Sequence, residues 1–474
     1  MKKLSLLLLT LSIALAGTAA ETSKKPNVIF FFLDDSGWGD FSCYGNEDLK
    51  TPNFDKVAAE GVLFTNFYVA ASVCSPSRCS AMTGQFSGRL GVHHIFGSDE
   101  KLGLNTCKYL DLQIPNITSA FHNAGYFTGH FGKWHLNTNK EAPTPDKYGI
   151  DRHKTIGKGF GNNFVFPKGV PQNSLSTEYI MDESLNFLKE AKESGKPFYL
   201  QIWTILPHAS ITPTPEQLAR VPKHNLPFQG KPEGEKYTSR KQIYYSAILE
   251  VDYQFGRLIE ALKKEGLYED TIIIISSDNG PETEEIANSV YSAGGRTGVF
   301  RGNKRSIYEG GIRVAGIISW PQEIKQGKID KDTVMSTVDL FPSLAKICGL
   351  ECPYDKVDGE DMSQAFYGKS VERKKPLYWS FFSNVYGHPN AISPNLAIRQ
   401  GKWKFMMNFD GTRAELYDLD ADPKQVDNVA AENSEVVARL KPMLAAYYES
   451  LPNKEKVIPH SGEDTTNYNR LVTK

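Results

Sequence analysis

Two stretches of unbroken apolarity, each ending in an acidic pair, constrain the fold of this chain more than any other feature. Asn27-Val28-Ile29-Phe30-Phe31-Phe32-Leu33 stops at Asp34-Asp35-Ser36-Gly37, and Thr271-Ile272-Ile273-Ile274-Ile275-Ser276-Ser277 stops at Asp278-Asn279-Gly280. Continuous rather than alternating apolarity fits strands covered on both faces, as in a central parallel sheet. Open α/β sheets place ligand sites beyond the C-terminal ends of their strands, where both acidic pairs would fall. Between the two runs, helix-like stretches alternate with short strands: residues 117–124 precede 126–130, and 244–265 precede the second run. That alternation predicts an α/β chain.

From about Lys375 the texture changes. Leu377-Tyr378-Trp379-Ser380-Phe381-Phe382, Leu396-Ala397-Ile398-Arg399 and Lys402-Trp403-Lys404-Phe405-Met406-Met407, broken by Gly401 and Asp410-Gly411, read as antiparallel strands and turns. A helix over 434–451 closes them. The 474 residues, 40% hydrophobic, suit one large domain with a smaller one appended. The predicted division is a signal peptide at 1–20, a catalytic domain at 21–375 and a C-terminal subdomain at 376–474.

The leader reading rests on Lys2 and Lys3, an apolar run over 4–16 and the small residues 17–20. The run is too short for a membrane span, so a soluble, secreted or periplasmic protein is expected. Net charge is −1, with 54 basic and 55 acidic residues, so no overall field draws the chain to nucleic acid or anionic membrane. Any anion must be held by a local site. The six cysteines are Cys43, Cys74, Cys79, Cys107, Cys348 and Cys352, readable as two or three bridges or as buried thiols.

Each acidic pair alone could be a helix cap or turn. Two of them at two sheet edges raise the alternative that they converge on a hard cation, calcium or magnesium rather than zinc. In Val73-Cys74-Ser75-Pro76-Ser77-Arg78-Cys79-Ser80-Ala81-Met82-Thr83-Gly84, Pro76 is compatible with a first helical turn and Arg78 lies close to Cys74. A helix N-terminus and a guanidinium both favour an anion there, although Cys74 by itself reads first as a buried thiol at a helix start. Cations and imidazoles recur in compact runs: Gly132-Lys133-Trp134-His135-Leu136, Pro207-His208, and Gly302-Asn303-Lys304-Arg305-Ser306 before Glu309-Gly310-Gly311-Ile312-Arg313. Hydrolysis of an anionic ester needs a metal and lysines to neutralise equatorial oxygens, and imidazoles to move protons.

These residues together resemble the type I, formylglycine-dependent sulfatases of the alkaline-phosphatase-like superfamily, over essentially the whole mature chain. The most specific element is the C-x-P-S-R run with Thr83-Gly84, which in that family directs oxidation of the cysteine to formylglycine by a formylglycine-generating enzyme. The resemblance implies a large central mixed, mostly parallel sheet flanked by helices, with a smaller antiparallel sheet plus helix. It implies that Asp34, Asp35, Asp278, Asn279 and the modified Cys74 ligate one calcium ion, with magnesium the lesser choice. Arg78 and Lys133 would hold the aldehyde hydrate, one hydroxyl of which attacks sulfur. Lys133 and Lys304 would steady the sulfate oxygens, and His208 with Lys304 would assist the leaving alcohol. His135 would take the proton from the second hydroxyl. Gln85, Met82 and Asn137 depart from the usual Arg, Leu and Gly without removing a proposed ligand or proton carrier.

Two rival readings accompany this one. Phosphatases and phosphonate monoester hydrolases of the superfamily can carry C-x-P-x-R, but tend to have Asp-His at the second acidic pair and transition metals; here it is Asp278-Asn279, an all-oxygen set. A secreted glycan-binding relative that has lost catalysis is the other. For the substrate, the candidates are His93 and His94, with Arg89, Asp146, Tyr148, Asp151, Arg152 and His153, though ordinary loop polarity explains them as well. A bacterial exo-sulfatase acting on a galactan, carrageenan or glycosaminoglycan is expected, with arylsulfatase the looser description. Residues 383–393, with Tyr386 and His388, are a further candidate to close over the pocket.

Overall fold

A computed structural model describes residues 25–96, 107–137, 142–156, 175–222, 240–283, 291–382 and 389–452. The leader reading at 1–20, and 383–388 with Tyr386 and His388, lie outside them. Among the described residues the strands are, in chain order, β1 (Asn27–Leu33), β2 (Val62–Phe64), β3 (Phe67–Tyr68), β4 (Phe127–Lys133), β5 (Arg152–Ile156), β6 (Phe198–Trp203) and β7 (Thr271–Ser277). Then come β8 (Gly316–Ser319), β9 (Lys328–Asp330), β10 (Met335–Ser336), β11 (Leu377–Ser380), β12 (Leu396–Gln400), β13 (Trp403–Met407) and β14 (Glu415–Asp418). The α-helices are α1 (Pro52–Glu60), α2 (Cys74–Thr83), α3 (Ile117–Asn123), α4 (Ser176–Ser194), α5 (Pro215–Ala219), α6 (Arg240–Lys264), α7 (Glu309–Ile312), α8 (Leu340–Cys348) and α9 (Ser434–Glu449).

Eight strands form one sheet in the order β5-β4-β6-β1-β7-β8-β2-β9. The pairs from β5 through β7 are all parallel, whereas β8 runs antiparallel to both β7 and β2. The sheet is therefore mixed and mostly parallel. β1 and β7 are buried at every residue, and their side chains divide alternately between two cores. Val28, Phe30, Phe32, Ile272 and Ile274 join one face with residues of α2, α3 and α8. Ile29, Phe31, Leu33, Ile273 and Ile275 join the other with residues of α1, α4 and α6. This two-sided cover is why the two runs show no polar alternation.

Register sets the site. Leu33 pairs with Ser277 and Phe32 with Trp203, while Gly132 also pairs with Trp203. Asp34, Lys133 and Asp278 thus leave three parallel strands at one level. The second sheet, β11-β12-β13-β14, is antiparallel throughout, and its inner residues Leu377, Trp379, Leu396 and Phe405 share the core that holds α2. Trp379 Nε1 donates to Val69 O at 2.8 Å, so the C-terminal sheet is fixed beside the chain that leads into α2.

Candidate active site

The turn after β1 is held in an unusual shape by a buried acid. Asp35 has φ of 66°, a left-handed conformation that costs a non-glycine residue energy and is kept only where its surroundings fix it. Asp40 fixes it: its Oδ2 accepts from Gly37 N at 2.6 Å, Ser36 Oγ at 3.2 Å and Tyr244 Oη of α6 at 2.5 Å, and its Oδ1 accepts from Arg296 N at 2.8 Å. Gly37 has to be glycine, since a Cβ there would lie 2.2 Å from Arg296 O. Across the strands, Asp35 N donates to Asp278 Oδ1 at 3.1 Å and Ser36 N to Ser277 Oγ at 2.9 Å.

Cys74 is the first residue of α2, preceded by extended Val73, so it sits at the positive end of a helix. It is buried, and its Sγ lies within 4.8 Å of carboxylate oxygens of Asp34 and Asp278. One turn later Arg78, fully buried, donates from Nε and Nη2 to Asp278 Oδ2 at 2.9 and 2.6 Å and from Nη1 to Lys133 O at 3.0 Å. Its guanidinium is flanked by the rings of Phe32 and Trp203. Ser75 Oγ donates to His135 O at 2.6 Å, tying α2 to the end of β4. Burial pushes the Cys74 thiol upward, outweighing Lys133 and Lys304, so an unmodified cysteine here stays protonated and a poor nucleophile.

Lys133 Nζ reaches Asp34 Oδ2 at 2.6 Å. Lys304 Nζ reaches both oxygens of Asp35 at 2.6 and 2.7 Å, and Asn279 Nδ2 donates to Asp35 Oδ1 at 2.7 Å. Burial raises the Asp35 carboxyl, but Lys304, His208 and Lys133 outweigh it and hold it well below the usual carboxylate range. Burial and Asp34 push Asp278 up to about 6 against Arg78 and Lys133. His135, with φ of 55°, is kept far below its ordinary value by burial, Lys133 and Arg78, so its imidazole is neutral. His208 Nε2 is 3.7 Å from Asp35 Oδ2 with its side chain one third (33%) exposed. Burial, Lys133 and Lys304 outweigh Asp35 and hold it down to about 4. Its Nδ1 bonds Ala209 O at 2.8 Å, which leaves Nε2 for proton transfer.

The donor set fits a hard divalent cation. Asp34 Oδ1 and Asn279 Oδ1 are buried without a hydrogen bond, an arrangement that costs energy unless something electropositive is to be met. Asp34, Asp35 and Asp278 are matched in charge by Arg78, Lys133 and Lys304, so a divalent ion would leave the site positive enough to hold an anionic ester.

The structure gathers Asp34, Asp35, Cys74, Arg78, Lys133, His135, His208, Asp278, Asn279 and Lys304 into this one cluster. His94 is half-buried beside it, its imidazole pushed down to about 4 by loss of water, Arg305 and Lys304. The other substrate candidates are occupied elsewhere. His93 Nε2 bonds Pro452 O, and Arg89 bonds Asp358 and Ser450. Arg152 pairs with Glu190 at the start of β5, opposite Gly129 and so at the far end of β4 from Lys133. Asp151 holds the start of β4 through Thr128, and His153 pairs with His130 mid-strand. Asp146 lies in the turn before β5, near Lys147, and Tyr148 is buried with its hydroxyl on Leu110 O. The physical reason is directional: the site lies at the C-terminal ends of the parallel strands, and this segment enters at the N-terminal ends. All six cysteines are free thiols, so the bridged reading is not realised. Sequence reasoning passed over Asp40, Glu282 and Arg305, although the first closes the Asp34-Asp35-Ser36-Gly37-Trp38-Gly39 run and the others adjoin Gly280-Pro281 and Lys304.

A helix start and three cations bearing on one buried point suit a substrate that brings negative charge. With the mixed sheet, they define a hydrolase of anionic esters in the alkaline-phosphatase-like fold. Residues 26–350 match the family model Sulfatase, and 295–450 match the C-terminal region of N-sulphoglucosamine sulphohydrolase. The chain belongs to the sulfatase family and is a sulfatase enzyme. Arylsulfatase A of Homo sapiens is 30% identical over 91% of this chain and 89% of its own. N-acetylgalactosamine-6-O-sulfatase of Bacteroides thetaiotaomicron is 26% identical over 90% and 93%. The crystal structure of Ps i-CgsB in complex with k-i-k-neocarrahexaose superposes with a TM-score of 0.75 at 25% identity, over 95% of this chain and 98% of that one.

Proposed function

We propose that this sulfatase releases inorganic sulfate from a sulfated carbohydrate, using a formylglycine made from Cys74 and a calcium ion held by the carboxylate cluster. One observation carries the reading: buried Cys74, at the start of α2, has its Sγ within 4.8 Å of carboxylate oxygens of both Asp34 and Asp278. A lone buried thiol has no use for two acids and two buried cations around it. Asp34, Asp35, Asp278, Asn279 and the converted residue 74 would hold the calcium, all through oxygen, as a hard ion prefers. Bound there, calcium supplies positive charge that polarises the ester. Formylglycine supplies a geminal diol, one hydroxyl for attack at sulfur and another whose proton can be removed to expel sulfate.

This chain's residues do the rest. Arg78 and Lys133 hold the diol against α2, and Lys133 and Lys304 neutralise sulfate oxygens as charge develops. His135, neutral through burial, accepts the proton from the second hydroxyl. Lys304 supplies the leaving-group proton, assisted by His208, whose N–H on Nδ1 faces Ala209 O and whose Nε2 stands as an acceptor at the exposed side. Support for a carbohydrate comes from the relatives, one named for N-acetylgalactosamine 6-O-sulfate and one solved with a neocarrahexaose. The leader-like residues 1–20 support export, with conversion of Cys74 before or during it. Sulfate release from defined sulfated oligosaccharides, with and without a chelator, tests the reading. Calcium-dependent release is expected, with the matching phosphate esters turned over far more slowly. Faster phosphate turnover, or restoration by zinc in place of calcium, would overturn it. Activity confined to aryl sulfates would remove the carbohydrate.

A further inference from the structure

Beside the catalytic cluster lies a pair of charges that the mechanism leaves unused. Glu282 is four residues beyond Asp278, and Arg305 follows Lys304. Arg305 Nη1 donates to Glu282 Oε1, and Thr283 N donates to the same oxygen at 2.9 Å. The other carboxylate oxygen, Oε2, lies 3.9 Å from Lys304 Nζ. The backbone on both sides is fixed. Arg305 has φ of 75° with its N–H on Ser72 O at 2.9 Å, and Lys304 N donates to Pro281 O at 2.9 Å. Asn303 Nδ2 donates to Glu282 O at 3.4 Å. The side chains of Arg305 and Glu282 are 16% and 6% exposed, and half-buried His94 stands within electrostatic reach of Arg305 and Lys304.

An ion pair taken this far out of water adds little net stability over an apolar replacement, and its charges cancel, so it is not built to hold sulfate. What it offers is an acceptor fixed beside a donor, less than 4 Å from a lysine that binds the ester. Hydroxyls on neighbouring sugar carbons carry the complementary set, each able to donate to a carboxylate and accept from a guanidinium. A sulfate in the same place would bring negative charge against Glu282. We propose that Glu282 and Arg305 form a sugar-reading subsite that takes the free hydroxyl next to the sulfated carbon and rejects a second sulfate there. This rests on the carbohydrate-sulfatase reading above.

The test compares kcat/KM for four substrates: a monosaccharide sulfate with a free neighbouring hydroxyl, its deoxy analogue, its disulfated analogue and an aryl sulfate. The wild-type enzyme is expected to lose about tenfold to a hundredfold on the deoxy sugar, the range for a hydrogen bond to a charged group, and to be slow on the disulfated one. Glu282→Gln is expected to lower the sugar-to-aryl ratio by a similar factor, to become indifferent to deoxygenation, and to improve relatively on the disulfated sugar. Equal losses of the variant on sugar and aryl sulfate would reduce the pair to a support for Lys304 and overturn the subsite. So would wild-type enzyme that cleaves hydroxylated and deoxy sugars alike, a result independent of how the variant folds. Wild-type turnover of aryl sulfate with none of any sugar sulfate would instead overturn the carbohydrate reading.

Discussion

Cys74 shows how little one residue settles by itself. Its thiol is buried and pushed upward, which in isolation describes an inert core cysteine. The same burial, with Asp34, Asp278, Arg78 and Lys133 around it, makes sense once the sulfur is replaced by oxygen. Cys74→Ser is therefore expected to release at most one sulfate per active site, because a serine sulfate has no second hydroxyl through which to eliminate; sustained turnover by that variant, followed as a burst, would contradict the mechanism. Asp40 acts at one remove. It accepts four hydrogen bonds that shape the turn carrying Asp34 and Asp35. Residues that orient metal ligands typically cost about tenfold to a hundredfold in affinity when altered, so Asp40→Asn should weaken calcium binding on that scale by calorimetric titration. An unchanged affinity with a lowered melting temperature would leave Asp40 a folding residue only.

At the scale of elements, the two apolar runs became β1 and β7 and lie side by side in register, which the sequence could not say: nothing in either run specifies its neighbour. Likewise, polarity in residues 146–153 gave no clue that the chain enters β5 from the end of the sheet away from the site. The C-terminal sheet is locked to the rest through buried Glu309 at the start of α7. Lys404 of β13 donates to its Oε1 at 2.8 Å, Tyr68 of β3 to its Oε2 at 2.5 Å, and Arg313 lies 3.3 Å away. Burial raises the Glu309 carboxyl, but Lys404, Arg313 and Arg399 outweigh it and hold it at about 2. Its folded value lies below the ordinary 4.5, so the acid stabilises the fold above pH 4.5 and that contribution is lost as pH falls toward 2, about 3 kcal/mol in all. Glu309→Gln should accordingly be destabilised by about that amount at neutral pH in urea unfolding, with the gap to wild type closing through that acid window. A gap that stayed constant with pH would show that the charge is not what binds the two sheets.

Across the whole molecule, the readable part of the sequence was the part governed by repetition and spacing. Continuous apolarity marked the doubly covered strands, and acidic pairs at their ends marked where the buried carboxylate cluster forms. Residues that work through hydrogen bonds across loops were not readable, because Asp40, Glu282 and Arg305 have partners on segments distant in the chain, Tyr244, Arg296 and Ser72 among them. Polar loop residues were over-read for the same reason: His93 and Arg89 look like pocket residues until Pro452 and Asp358 appear beside them. On the proposed function, the sheet, the cluster and the family meet in one chemical conversion, Cys74 to formylglycine. Mass spectrometry of the peptide containing residue 74, set against the rate of sulfate release by the same preparation, measures it. An aldehyde at position 74 whose occupancy rises in proportion to activity is expected; steady turnover by protein in which residue 74 is entirely thiol would contradict it.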